Sequence, residues 1–424
     1  MAGIVSGLLA LNSLKESFSE TLNPHFMGYA MNGNLEGFKG KLKAKPDKAY
    51  KLYMHSDAVQ VGPRAGQGGQ KGGWEEGKHG LKGARGRMIQ SFPVMYHLMF
   101  MDCDIAFADA LLESGWELEQ GCPLEYPSGI VNQPWLCIAA RLKNLTYIKW
   151  LIDHGANDYA DATWGFNVFH NLAWKNEMEY GAQVLSIADQ KDLYRGERTN
   201  ECFEYFMQHP AIKEFATKPA APYDANADYF HTGRTPAVEV CCRLATEFDN
   251  EKEKVTISTS RVTVPHWMPM LKALLEAGTD PNALCGNKKL FAGANGMADG
   301  TLFHNLAMAS GGYMTRNPAD GAPFCPQILE ACKLLKKHGA DLNLLNADGQ
   351  SALYFLICMD DPELLKWALT EGAASPSFPE QCSSTCAMSH IVPAAAFHCY
   401  EMMKPEVVRM LVQKCNLDIN AQGK

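Results

Sequence analysis

A pattern of two short apolar helical runs closed by a glycine returns along this chain, and it constrains the fold more than any other feature. Its clearest copy is Asn132 to Asp161, NQPWLCIAARLKNLTYIKWLIDHGANDYAD. Pro134 opens a first helix, since proline is tolerated where the amide has no helical partner. Trp135, Leu136, Ile138 and Ala139 keep helical spacing, as do Ile148, Leu151 and Ile152 after a break at Lys143–Asn144. Gly155 stops the second run where a left-handed residue is wanted. Neither helix can bury its apolar residues within its own pair, so such units need stacked copies of themselves.

Copies are present. SFPVMYHLMFMDCDIAFADALLESGWELE lies upstream, and GRTPAVEVCCRLA and MLKALLEAGTDPN form a split unit downstream. They are followed by ILEACKLLKKHGADLNLLNADG, SALYFLICMDDPELLKWALTEGA and VPAAAFHCYEMMKPEVVRMLVQKCNLDIN. These units resemble the ankyrin repeat, whose pattern is roughly G-x-TPLH-x-AA-x-x-G-x-x-x-VV-x-LL-x-x-GAD-x-N. The TPLH position is filled by Phe92-Pro93-Val94-Met95, Gln133-Pro134-Trp135-Leu136 and Asn167-Val168-Phe169-His170. It continues as Thr235-Pro236-Ala237-Val238, Thr301-Leu302-Phe303-His304, Ser351-Ala352-Leu353-Tyr354 and Val392-Pro393-Ala394-Ala395. The GAD-x-N ending appears at Gly155-Ala156, Gly278-Thr279-Asp280-Pro281-Asn282 and Gly339-Ala340-Asp341-Leu342-Asn343. A weaker first unit, Tyr29 to Glu36, carries the inter-helix turn at Gly33-Asn34. Measured at the Pro position, the intervals are 41, 34, 68, 66, 50 and 41 residues. Against a period of about 33, one matches, two are near double and the rest need insertions or a degenerate unit such as Glu201 to Ala216.

The resemblance implies an all-α ankyrin-repeat solenoid of helix-turn-helix units with short hairpin loops and several insertions. Residues 1–90 are expected to form a helical cap with a degenerate first repeat, and 91–424 the array, with insertions near 247–264, 283–300 and 310–326. Where Thr or Ser is missing from the first position, the helix cap it would supply must come from another residue.

Composition narrows the function. The net charge of -8 disfavours nucleic acid as a partner, because phosphate binding needs a basic face. Fourteen cysteines lack the dense spacing of a disulfide framework, and several sit in apolar helical runs as small hydrophobes. No apolar run reaches the length of about 18 residues needed to cross a bilayer. Met1 to Leu14 is apolar but lacks the positive start of a signal peptide. It reads as a helix packed on the end of the fold, with a membrane-surface anchor as the alternative. A cytoplasmic location is expected.

Other segments carry weaker signals. Gly62 to Arg87 holds ten glycines and six Lys or Arg, the composition of a mobile spacer; phosphate or nucleic-acid contact is the alternative, without the Ser or Thr that ends a P-loop. Glu247 to Val264 alternates β-branched and polar residues after a charged run, as a hairpin or edge strand would. Cys382, Cys386 and His390 lack paired CxxC spacing, so no metal or cofactor is expected. His170 and His304 fill the TPLH position, and His154 and His338 precede the closing glycines; the resemblance gives all four structural work.

The expected function is therefore a non-catalytic scaffold or adaptor that docks another protein on its concave surface, as a host-directed effector, a toxin-neutralising partner or a cytosolic scaffold. The alternative is an enzyme with its site in the N-terminal region or the insertions. Candidate contacts are Tyr159, Asp161 and Trp164 from one tip, Arg141 and Lys143 from one inner helix and its turn, Trp174 and Lys175 from the next, and Leu345 and Asn346 from a later tip. The last helix, Pro405 to Lys414, carries Val407, Val408, Met410, Leu411 and Val412, so an apolar end is expected to be covered by self-association, a partner or an N-terminal segment.

Overall fold

The structure, a computed structural model, describes residues 26–45, 53–55, 74–76, 81–82, 88–89, 93–126, 129–173, 196–222, 232–241, 244, 267–285, 300–309, 326–346, 351–353, 356, 362–373, 409 and 413. The chain divides into two compact units. The first comprises residues 1–212 and 262–265, and the second 213–261 and 266–424.

The first unit is a row of helix pairs. They are α1 (Phe26–Met31) with α2 (Leu35–Ala44), α3 (Val94–Phe100) with α4 (Ile105–Glu113), and α5 (Trp135–Arg141) with α6 (Leu145–Asp153). α7 (Val168–Ala173) is followed by α8 (Gly196–Gln208) and the single turn α9 (Pro210–Lys213), which crosses into the second unit. The first helices are short and buried on every side: all of Val94 to Met99, Trp135 to Arg141 and Val168 to Ala173 is inside. A helix apolar all round needs neighbours all round, and the adjacent pairs supply them. The second helices are two-sided. In α6, Tyr147, Ile148, Trp150 and Leu151 face inward while Thr146, Lys149 and Asp153 are exposed.

One backbone motif ends both kinds of helix. After the second helices, Gly115, Gly155, Gly278, Gly339 and Gly372 all have φ between 87° and 103°. The amide one residue on reaches back five, as in Ala156 to Leu151 (2.9 Å) and Ala340 to Leu335 (3.0 Å), which pairs a carbonyl that the helix end would leave orphaned. The first helices close in the same way at Gly33 (φ 66°), Asp102 (φ 53°) and Lys143 (φ 54°), with Asn34, Cys103 and Asn144 as the returning amides. Asn34, Asp104 and Asn144 then cap the second helices, accepting from Gly37 (2.8 Å), Ala106 (2.9 Å) and Tyr147 (3.1 Å).

The TPLH position works as the resemblance implies at Thr301 and at Asn167, whereas α3 and α5 begin at Pro93 and Pro134 with no side-chain cap. Thr301 Oγ1 lies 2.9 Å from His304 Nδ1, which also accepts from the Thr301 amide at 3.2 Å. At the earlier copy Asn167 does the capping: its Oδ1 accepts from Phe169 (2.9 Å) and His170 (3.3 Å), and His170 Nδ1 accepts from Asn167 (3.2 Å). Both histidines are buried.

The second unit holds a helix over 236–241, α10 (Trp267–Glu276), α11 (Leu302–Ala309), α12 (Pro326–Lys337) and α13 (Pro362–Thr370). α12 packs on α10 and α11, and Phe303 meets Trp367 edge to face with centroids 6.1 Å apart. Three antiparallel ribbons decorate the first unit. Two of them pair β1 (Tyr53–His55) with β2 (Trp74–Glu76) and β3 (Leu81–Lys82) with β4 (Met88–Ile89); β2 and β3 fall within the glycine-rich 62–87 segment, the rest of which lies outside the described residues. The third, β5 (Cys122–Tyr126) with β6 (Gly129–Gln133), is a hairpin leading into α5. Residues 1–14, the 247–264 insertion, Cys382, Cys386 and His390 lie outside the described residues, as does the last helix apart from Arg409 and Gln413. Among the described residues no helix is long and apolar enough to cross a membrane.

Candidate binding surface

The hairpin tips between helix pairs are built from turns whose amides need acceptors, and this decides which tip side chains remain outside. Asp161 is 2% exposed. Its carboxylate accepts from the amides of Thr163 (3.1 Å) and Trp164 (2.6 Å) through Oδ1 and from Phe166 (2.9 Å) through Oδ2. Burial lifts its protonation above the ordinary carboxylate value, against the opposing pull of the Trp164, Phe166, Thr163 and Gly165 amides. Trp164 is buried against Phe166. Asp161 and Trp164 therefore shape the tip from inside.

The other sequence candidates divide in the same way. Arg141 and Asn346 are buried. Lys143 is half-buried in its left-handed turn, with Nζ donating to the Arg141 carbonyl at 2.9 Å. Tyr159 is half-buried, and its carbonyl accepts from Val168 (3.0 Å) and from the Cys137 thiol (3.6 Å). Leu345 is 41% exposed, the large hydrophobic side chain most open to solvent among the described residues. Trp174 and Lys175 lie outside the described residues. The accessible candidates are thus Lys143 and Tyr159 in the first unit and Leu345 in the second.

Sequence reasoning missed one feature of the first unit. A shallow recess of about 290 Å³ lies between the second helices α4 and α6, lined by Ile105, Leu145, Thr146, Lys149, Trp150 and Asp153. Lys149 Nζ stands 5.5 Å from the Tyr205 ring centroid, and Trp150 Nε1 donates to Asp109 at 2.7 Å. The available signal was the helical spacing of Thr146, Lys149 and Asp153 along one polar face.

Three of the described thiols, Cys103, Cys137 and Cys202, are poor nucleophiles. Burial, with Asp102 and Asp104 beside it, pushes Cys103 up to about 12, and burial does the same for Cys202 despite nearby Lys143. Cys137 is raised well above its ordinary value by burial, then by Asp161 and Asp158. The thiolate is the reactive form, so none of the three is poised for chemistry. Among the described residues no cluster of His, Cys, Asp or Glu is arranged to hold a metal ion.

No family model matches the chain, and no curated protein matches it. Among solved structures the chain is similar to the human ASB11 ankyrin repeat domain, at 16% identity and TM-score 0.38, covering 84% of this chain and 100% of that one. It is also similar to the ankyrin repeat domain of Bcl-3, a member of the IkappaB protein family, at 15% identity and TM-score 0.39, covering 75% and 96%. The ankyrin-type reading rests on the paired helices, left-handed closures and TPLH caps of the chain itself.

Proposed function

We propose that the protein is a non-catalytic scaffold that docks a protein partner through its hairpin tips. The observation that carries this reading is Leu345: an apolar side chain, 41% exposed, held at a tip by the Leu345–Ser351 bridge. Leu345, with the half-buried Leu344 beside it, offers a partner apolar area at a tip closed by that bridge. Repeat units commonly place their binding residues at such tips. The buried, unreactive thiols and the capping work of His170 and His304 support binding over catalysis.

The test is affinity purification of the full chain from its native cell, beside Leu345→Asp and, as a control on a helix face, Lys333→Glu. A protein recovered in stoichiometric amount with wild type and the control, and depleted at least tenfold with Leu345→Asp, supports the proposal. Equal recovery with all three rejects Leu345 as the anchor.

A further inference from the structure

The tips of the second unit repeat one arrangement twice. In Gly278-Thr279-Asp280-Pro281-Asn282-Ala283-Leu284-Cys285 and Gly339-Ala340-Asp341-Leu342-Asn343-Leu344-Leu345-Asn346, a carboxylate stands four residues before a leucine, and neither stretch contains a basic residue. The carboxylates are pinned in the same way. Asp280 Oδ1 accepts from the Asn282 amide and Asp341 Oδ1 from the Asn343 amide, both at 2.9 Å. Each aspartate is exposed, and neither is in an ion pair among the described residues. Beside them Leu284 and Leu344 are half-buried and Leu345 is exposed.

The two tips are also joined. Asn282 Nδ2 donates to the Gly339 carbonyl at 2.9 Å, and its Oδ1 accepts from the Asp341 amide at 2.8 Å. Adjacent helix layers are about 10 Å apart, so the linked tips present two carboxylate–leucine pairs at roughly that interval. Among the described residues Lys272 pairs with Glu276 and Lys333 with Glu330, while Lys288 and Lys289, which follow the first tip in sequence, lie outside the described residues. Lys336 and Lys337 close the last turn of α12, where cations complement the helix dipole.

Resting on the docking reading above, we infer that the partner is a basic amphipathic protein segment. Its Lys or Arg side chains lie against Asp280 and Asp341, and its apolar side chain sits on Leu284, Leu344 and Leu345. The required spacing of about 10 Å corresponds to roughly seven residues of helix or three of strand. Charge of opposite sign on both sides of an apolar contact sets register and partner choice more than it adds affinity.

The experiment is selection of a random dodecapeptide display library on the immobilised full chain. The expected peptides carry Lys or Arg on either side of Leu, Ile or Phe. Their affinity falls about fivefold on Asp280→Asn/Asp341→Asn, which keeps an Oδ1 for each turn and an unchanged melting temperature. It falls further on Leu345→Asp, and it weakens with added salt in wild type more than in the double variant. Neutral or acidic selected peptides, no selection, or basic peptides indifferent to the double variant would each overturn the inference. Loss with Leu345→Asp alone leaves the docking proposal standing and removes only the basic partner; indifference to all three substitutions removes both.

Discussion

Removing the Asp161 carboxylate tests whether the first unit's tip is held from inside. In Asp161→Ala the amides of Thr163, Trp164 and Phe166 lose their acceptors, and the latter two bonds are buried. A hydrogen bond to a charged group is worth about 1.5–3 kcal/mol, but the three do not add. The lifted protonation of Asp161 shows that its burial already costs solvation, and the half-buried Thr163 bond can be replaced by water. A net loss of about 2–4 kcal/mol follows. In native-state hydrogen exchange the Trp164 and Phe166 amides should then exchange roughly 30- to 1000-fold faster. Asp161→Asn should cost less, near 1–2 kcal/mol, because an oxygen in the Oδ1 position keeps the Thr163 and Trp164 bonds while the amide group opposes Phe166 N–H.

The same residue fixes the sign of a pH effect. Its folded pKa lies above its unfolded value, so on acidification the folded chain takes up this proton first. The penalty for keeping Asp161 charged is present at neutral pH and fades as pH falls through the folded pKa. Wild type should therefore gain stability relative to Asp161→Asn as pH is lowered from 7 through the carboxylate range, in paired urea titrations. Unchanged protection at Trp164 and Phe166 in Asp161→Ala, or a relative loss for wild type on acidification, would refute the reasoning.

Two further outcomes are expected. Lys143→Gly should stabilise the chain by about 0.5–1 kcal/mol in urea unfolding, since a left-handed lysine costs more than the half-buried bond it donates to Arg141. Cys137 and Cys202 should resist a neutral-pH thiol reagent in the native chain and react fully after denaturation, read by mass spectrometry of the labelled peptides.

The helix pairs were legible because their signals are local. Closing glycines, Pro at the helix start and 3.6-residue apolar spacing each act within one turn of backbone, and the helices stand where those signals fall. The tips were less legible. Spacing alone puts Asp161, Trp164 and Asn346 at tips, but it does not tell which polar side chains must turn inward to satisfy the tip's own amides. Asp161 does, and its burial removes from the surface a residue that composition would place there. Substitution hid two structural positions as well. Lys143 and Asp102 occupy the conformation where the pattern has glycine, and Asn167 caps where it has threonine.

Side-chain hydrogen bonds join neighbouring repeats among the described residues of both units. In the first, the bonds lie at the inter-helix turns and second helices: Asn144 Nδ2 to the Met99 carbonyl (2.8 Å), Tyr147 Oη to Cys103 (3.1 Å) and Trp150 Nε1 to Asp109 (2.7 Å). In the second, whose inter-helix turns lie outside the described residues, tip bonds run from Asn282 to Gly339 (2.9 Å) and from Asn343 to Gly372 (3.1 Å). These tip bonds have a sequence cause. Four residues after the closing glycine the second unit has Asn282 and Asn343, which can donate and accept across the gap, whereas the first has Glu119 and Tyr159. The tip that carries Tyr159 is held from within, by the Asp161 carboxylate. Tips that are bridged keep their exposed side chains at a fixed interval without a partner present, and a surface ordered in advance loses less entropy on binding. That is the physical reason to place the docking site on the second unit, at Leu345 and its neighbours, rather than at Tyr159.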